Sequence, residues 1–205
     1  SLILGFLLFF INYSWKKKFL FLGIFIILFI LMLMNSQVLN QRIIFETYSD
    51  IMVDNLLYDN FNIFSTGHTY YFITSINMFL SNNIIGIGPN LFREVCAYQE
   101  YYLGNEIISC STHPHNFYFQ LLAETGLLGF LFLFSFFLYL SFKVLRFLFK
   151  KEIFENYKYC LLLSIFINIF PISSHGNFFN NWNSISIFLP LAFFIKEFNL
   201  ITFKK

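Results

Sequence analysis

From Phe117 to Phe142 the chain runs 26 residues with one charged side chain, Glu124. A helix of ~20 apolar residues spans a hydrocarbon core of ~30 Å, so this run alone points to a membrane. Phe19 to about Val38, Tyr159 to about Ile172 and Ser184 to Ile195 read as further spans, and residues 1–13 as the end of another. With 58% hydrophobic and 12% charged residues, an ordinary water-soluble domain is excluded. The expected fold class is an all-α polytopic membrane protein, with about five transmembrane helices and a partly helical periplasmic loop. The 33 Phe residues fit an AT-rich coding bias, so single Phe positions carry little functional weight. Ser1 lies inside an apolar run, which reads as the C-terminal portion of a longer protein, and no cleavable signal peptide is visible.

The cations set the orientation. Lys16, Lys17 and Lys18 separate the first two spans. Lys143, Arg146, Lys150, Lys151 and Lys158 separate the third and fourth, and Lys196, Lys204 and Lys205 follow the fifth. Eleven of the 13 Lys and Arg therefore share one side, which the positive-inside rule makes the cytoplasm. Residues 1–38 then hold two spans, 39–116 form a periplasmic loop, and 117–205 hold three spans with a cytoplasmic C-terminus. All four histidines, His68, His113, His115 and His175, fall outside, with Arg42 and Arg93 as the outer arginines. Seven acids, from Glu46 to Glu106, make that loop mildly acidic, which argues against nucleic acid and anionic lipid as its ligands.

Cys96 and Cys110 lie in the outer loop, where an oxidising compartment favours a disulfide over two free thiols. Closing a loop of about 15 residues contributes ~3 kcal/mol in the chain-entropy view. Residues 42–58 read as an amphipathic helix with Glu46, Asp50 and Asp54 on one face, either a solvated stripe or a cation site. Ser65 or Thr66 is expected to cap a helix running to about Ser81, with His68 near its start. Gly86-Ile87-Gly88-Pro89-Asn90 is a turn signal aimed at Leu91-Phe92-Arg93. The last outer loop, Pro171 to Asn183, is short, rich in Asn, and carries His175 and Trp182. Its aromatics fit an interfacial belt, and its amides suit carbohydrate hydroxyls.

Asn116, Gln120 and Glu124 recur every four residues and make one polar stripe at the start of the long apolar run, with Gly126 and Gly129 beyond it. Such a stripe either packs against other helices or lines a substrate groove, and small residues permit close helix packing. The spacing His115-Asn116, nine residues, Gly126, two residues, Gly129 resembles the signature of the O-antigen ligase and O-antigen polymerase superfamily. Gly86-Ile-Gly-Pro-Asn-Leu-Phe92 is similar to that family's Gly-x-Gly-x-x-x-Phe element. The resemblance covers roughly residues 61–140, and more loosely Phe170 to Trp182.

The resemblance implies an inner-membrane glycosyltransferase. It would move a glycan from a polyprenyl-pyrophosphate carrier to an acceptor hydroxyl on the periplasmic face. The acceptor is the lipid A–core for a ligase, or another carrier-linked repeat unit for a polymerase. It implies the essential role for His115, no metal and no cofactor. A histidine titrates near neutral pH and suits hydroxyl activation, whereas a pyrophosphate leaving group calls for cations. Many members carry Ser-Gly-Arg before the Gly-x-Gly turn, where this chain has Ser65-Thr66-Gly67-His68. Arg93, with His68 or His113, is therefore expected to meet the pyrophosphate, and Asn116 to join the substrate site. Against this stand a salt bridge from Arg93 to Glu94 or Glu100, a protein glycan transferase, a transporter of the same lipid-linked glycan, and metal binding by the outer histidines. The last matches no standard zinc spacing.

Overall fold

A computed structural model describes residues 14–46, 65–104, 106–150 and 157–202, and every structural statement below concerns these. They are helices and loops without strands. The helices are α1 (Trp15–Asn35), α2 (Gln37–Asn40), α3 (Thr66–Ser81), α4 (Phe92–Val95), α5 (Glu106–Ser109), α6 (Phe117–Lys150), α7 (Tyr157–Asn168) and α8 (Asn181–Thr202). The chain divides into two compact units, one of residues 13–69 and one of residues 70–205 with 1–12.

In the first unit, α1 is apolar all round, and Phe19, Phe25 and Leu28 stay exposed, as on a lipid-facing helix. The helix expected over 42–58 begins as a π-helical turn at Gln41–Glu46, and the rest of it lies outside the described residues. So does the carboxylate stripe of Asp50 and Asp54. The helix expected from Ser65 or Thr66 is α3, which starts at Thr66 and ends at Ser81.

One helix, Phe117–Arg146 within α6, is long and apolar enough to cross a membrane; Phe19–Asn35 and Tyr157–Asn168 are shorter apolar helices. Among the described residues the structure thus gives one clear span where the apolar runs of the sequence led to about five; the first of those, over residues 1–13, lies outside the described residues. The second unit is a bundle of α6, α7 and α8. Leu133, Leu140 and Val144 of α6 pack with Leu162, Ile165 and Phe166 of α7 and with Ile187 and Phe194 of α8. The opposite face of α6 exposes Leu128, Phe132 and Phe142, the pattern of a helix with lipid on one side. A smaller core joins Met78 of α3, Phe92 of α4, Tyr101 and Ala123 of α6. Cys96, at the end of α4, is disulfide-bonded to Cys110, with Cα atoms 5.1 Å apart. That bond ties α4 to the segment that enters the His113–His115 turn.

The long helix is broken at Gly126, which has φ +63° and ψ −157°. An unbroken helix would pair the Leu127 N–H with the Ala123 carbonyl, and the Leu128 N–H with that of Glu124. Instead the loop after α3 takes both places. Ile87 and Gly88 donate to the Ala123 and Glu124 carbonyls, each at 3.0 Å; Leu127 and Leu128 donate to the carbonyls of Asn83 (2.9 Å) and Ile84 (3.4 Å). Freed backbone groups in an apolar helix must find protein partners, and here one loop supplies all four. The approach is so close that a Cβ on Gly126 would lie 2.5 Å from the Ile84 carbonyl and 2.6 Å from the Gly86 nitrogen. A Cβ on Gly86, itself at φ +69°, would strike the backbone of Glu124 to Gly126. Gly129 clears the Thr125 side chain one turn on. The two glycines of the His-Asn motif therefore serve a loop splice and the turn beyond it, where sequence reading expected helix-to-helix packing. Residues 127–146 alone reach ~30 Å, so the arm above the break need not lie within the hydrocarbon.

Candidate functional site

The upper arm of α6, with the Asn116 that caps it, gathers two loops through its polar stripe, the last loop and the one that leads into α4. Asn116, Gln120 and Glu124 are 5%, 1% and 1% exposed, so each must find partners inside the protein. Asn116 caps the helix, its Oδ1 accepting from the Tyr118 (2.9 Å) and Phe119 (3.3 Å) N–H groups, as an N-cap asparagine does. Its Nδ2 donates to the carbonyls of Pro171 (2.6 Å) and Ser173 (3.3 Å). Gln120 accepts from the Phe178 N–H (2.8 Å), and its Nε2 donates to Asn177 Oδ1 (2.9 Å) and Glu124 Oε2 (3.0 Å). Glu124 Oε1 in turn accepts from the Phe92 N–H at 2.8 Å, holding the first residue of α4. Asn177 Nδ2 closes the network on Asn90 Oδ1 at 2.9 Å. The stripe is thus buried, as one of the two sequence readings had it, but its partners are loops and not neighbouring helices.

His115 stands at the head of this arm with φ +59°, a left-handed conformation uncommon for a residue with a Cβ. Strain of this kind persists only where the surroundings fix it, and it gathers at functional positions. What fixes it is the last loop: the His175 N–H donates to the His115 carbonyl at 2.8 Å. The His115 ring lies 4.2 Å, centroid to centroid, from that of His113 and 5.7 Å from Tyr71, and its Nε2 is 3.3 Å from Ser111 Oγ.

His113 pairs through Nδ1 with Thr112 Oγ1 (2.9 Å) and through Nε2 with the His175 carbonyl (3.3 Å). A carbonyl only accepts, so the proton belongs on Nε2 and the Thr112 hydroxyl donates to Nδ1. Burial lowers the His113 pKa, partly offset by the His175 carbonyl. The His175 ring is stacked on Phe117 at 4.1 Å, and neither ring nitrogen has a hydrogen-bond partner. Burial pulls its pKa down to about 4; the Asn168 carbonyl opposes this from a position without hydrogen-bond geometry.

The sign follows from linkage. An unfolded histidine binds a proton below its ordinary value of 6.5, whereas folded His175 refuses one until about 4. Stability should therefore fall as pH drops through that window, by up to about 1.4 kcal/mol per unit from this group. Thermal unfolding in detergent at pH 7 and pH 5 should give a lower midpoint at pH 5. His175→Phe, which keeps the stack on Phe117, should shrink that difference; an equal difference in both proteins would refute the assignment.

Between α4 and the last loop lies a cleft of two lobes. One, of about 440 Å³, is lined by Asn90, Arg93, Asn177 and the residues from Phe179 to Trp182. The other, of about 430 Å³, adds Thr112, His113, Gly176 and Asn183, and shares Arg93, Asn177, Asn180 and Trp182 with the first. Arg93 is half exposed, with Nε donating to Glu94 Oε1 at 3.1 Å. Asn90, at φ +63°, and Gly88, at φ +117°, turn the chain so that α4 presents Arg93 there. Of the residues singled out from sequence, Arg93 and His113 meet on one cleft and Asn116 anchors its loop from within. His115 sits behind His113 and is absent from both walls. His68, in the first turn of α3 with Nδ1 2.6 Å from Ser65 Oγ, belongs to the other compact unit. Sequence reading gave Trp182 an interfacial place and did not single out Asn177, whose only signal was the Asn-rich loop. Among the described residues no group of three His, Cys, Asp or Glu is arranged to hold a metal ion.

A helix long and apolar enough to cross a membrane, a polar arm above its break and an Arg- and His-bearing cleft on loops place the candidate site at one end of a potential span. The family model described as O-Antigen ligase matches residues 1–134, and the chain belongs to that family. At the level of the family its function is O-antigen ligase-like, with lipid-linked glycan and acceptor substrates. The match ends within α6, so the last loop lies beyond it. No curated protein and no solved structure matches the chain.

Proposed function

We propose that this chain carries the transfer site of an inner-membrane glycosyltransferase working on the periplasmic face. The observation that carries the reading is the meeting of Arg93 and His113 on one cleft, directly in front of a conformationally strained His115. An acceptor hydroxyl oxygen attacks the anomeric carbon of the carrier-linked sugar. The bond from that carbon to the pyrophosphate oxygen breaks, and the hydroxyl proton passes to His115. The charge gathering on the leaving pyrophosphate falls beside Arg93, whose planar fork of donors suits a phosphate. Both His113 nitrogens are engaged by Thr112 and His175, which makes His113 a wall of the site; the proton-transfer role of His115 rests on its place in the His-Asn motif. Catalytic hydrogen bonds often tighten only with substrate bound, so the place of His115 behind the wall is compatible with that role. Asn116 positions rather than binds, since its amide is spent on the helix cap and on Pro171 and Ser173. Eleven cations on one side of the apolar runs support the orientation.

The test is lipopolysaccharide gel analysis of a deletion strain complemented with wild-type or Arg93→Ala protein. Loss of all O-chain, with carrier-linked polymer accumulating, identifies a ligase; a single repeat unit left on the core identifies a polymerase. Arg93→Ala should lower transfer by roughly 10²-fold at equal protein level, as loss of a charge-stabilising donor does. Normal O-chain with Arg93→Ala would remove Arg93 from the mechanism. Normal O-chain in the deletion strain would overturn the reading itself.

A further inference from the structure

The two lobes of the cleft differ in chemistry. The lobe beside His113 lies in front of His115, the candidate proton-transfer group. The other holds no histidine, and its wall is aromatic and amide: Phe179, Asn180, Asn181 and Trp182, with Arg93 at its edge. Trp182 is 81% exposed there, although it is the largest apolar side chain of the loop. Its backbone is fixed, because the Trp182 N–H donates to Asn180 Oδ1 at 2.9 Å as α8 begins. Asn177 and the Asn90 oxygen are taken up by the polar network below, and Asn180 Oδ1 caps α8, so the Asn180 Nδ2 and the Asn181 amide are the groups this lobe offers beside Trp182. A flat aromatic face beside primary amides matches a pyranose, whose C–H face packs on a ring and whose hydroxyls need both donors and acceptors. The volume, about 440 Å³, is in the range of small-molecule sites.

We propose that this lobe is a sugar-binding subsite. In it a pyranose ring stacks on Trp182, the amides of Asn180 and Asn181 take its hydroxyls, and its neighbour on the other side of Arg93 is the reacting centre. The inference rests on the glycosyl-transfer reading and extends it, by assigning glycan recognition to a loop outside the matched part of the chain. The ring belongs either to the transferred glycan or to the acceptor, and kinetics separate the two.

With purified full-length protein, the lipid-linked donor and the acceptor are varied in turn. Trp182→Ala should raise KM roughly tenfold for one of them, with kcat within about twofold of wild type. A donor effect places the transferred glycan in the lobe, and an acceptor effect places the acceptor there. Trp182→Phe should recover most of the loss. A second readout needs no turnover, so it stands even if the transfer reading fails. Soluble oligosaccharide released from the organism's own surface glycan should quench part of the tryptophan fluorescence, and Trp182→Phe should remove that part. A purely interfacial Trp182 predicts unchanged KM values and no sugar-dependent quenching. Unchanged KM for both substrates in folded Trp182→Ala, or quenching that survives Trp182→Phe or is absent from wild type, overturns the proposal.

Discussion

His115→Asn should abolish most glycan transfer, by ~10²- to 10⁴-fold in kcat, the usual contribution of a positioned general base. Asparagine is the informative replacement because it tolerates the left-handed backbone at φ +59° better than alanine. It removes a titrating base while leaving the bond from the His175 N–H to the residue 115 carbonyl in place. The unfolding midpoint should therefore stay close to wild type. His113→Asn is the comparison. Its ring is bound on both sides by Thr112 and His175, so its loss should weaken the loop and substrate binding more than kcat. If His113→Asn proved the more damaging to kcat, and His115→Asn the milder, the two roles would be exchanged.

Gly126→Ala should cost on the order of 4 kcal/mol or more, an exceptional value for one methyl group. Two penalties add. The residue sits at φ +63°, where a Cβ is strained, and the new carbon would meet backbone atoms of Ile84 and Gly86 that belong to the loop splice. Backbone cannot step aside without surrendering the four hydrogen bonds that replace the broken helix pairs. For a chain of this size such a loss lowers Tm by roughly 10 °C, or leaves no monodisperse protein in detergent. Gly86→Ala should behave alike, since it enters the same contact from the other side. Gly23→Ala is the control, because nothing lies within 4 Å of its Cβ position and α1 is regular there. Gly126→Ala matching Gly23→Ala in stability would refute the splice.

Much of this architecture was legible in the sequence, for identifiable reasons. The long apolar run, the start of α3 and the turn at Gly86–Asn90 ahead of α4 follow from composition, capping and turn chemistry, which act over a few residues. The break at Gly126 was not legible. A glycine inside an apolar helix reads equally as a packing contact, and only the facing loop, forty residues earlier, distinguishes the two. Gln120 and Glu124 were open between a groove and a buried stripe because side-chain burial depends on what folds over them. Arg93 was singled out by scarcity of outer cations; the structure places it on the cleft and also pairs it with Glu94, the alternative weighed against a substrate role. His175 shows the reverse: one residue in a short loop, it holds the His115 carbonyl and the His113 ring through its backbone, which no side-chain identity announces.

The arm between Asn116 and Gly126 also acts as a ruler. Ten residues at 1.5 Å rise hold the histidine turn ~15 Å above the break. One residue added or removed in that arm would turn Asn116 by ~100° relative to Glu124, and would part the last loop from α4. The segment joining Gly88 to His115 carries no such register, being loops and short turns closed by a disulfide. Length variation in homologous chains is thus expected to fall in the loops on either side of this arm, with none inside it. A transplanted site would have to be moved as the arm together with its break, not as the histidine alone.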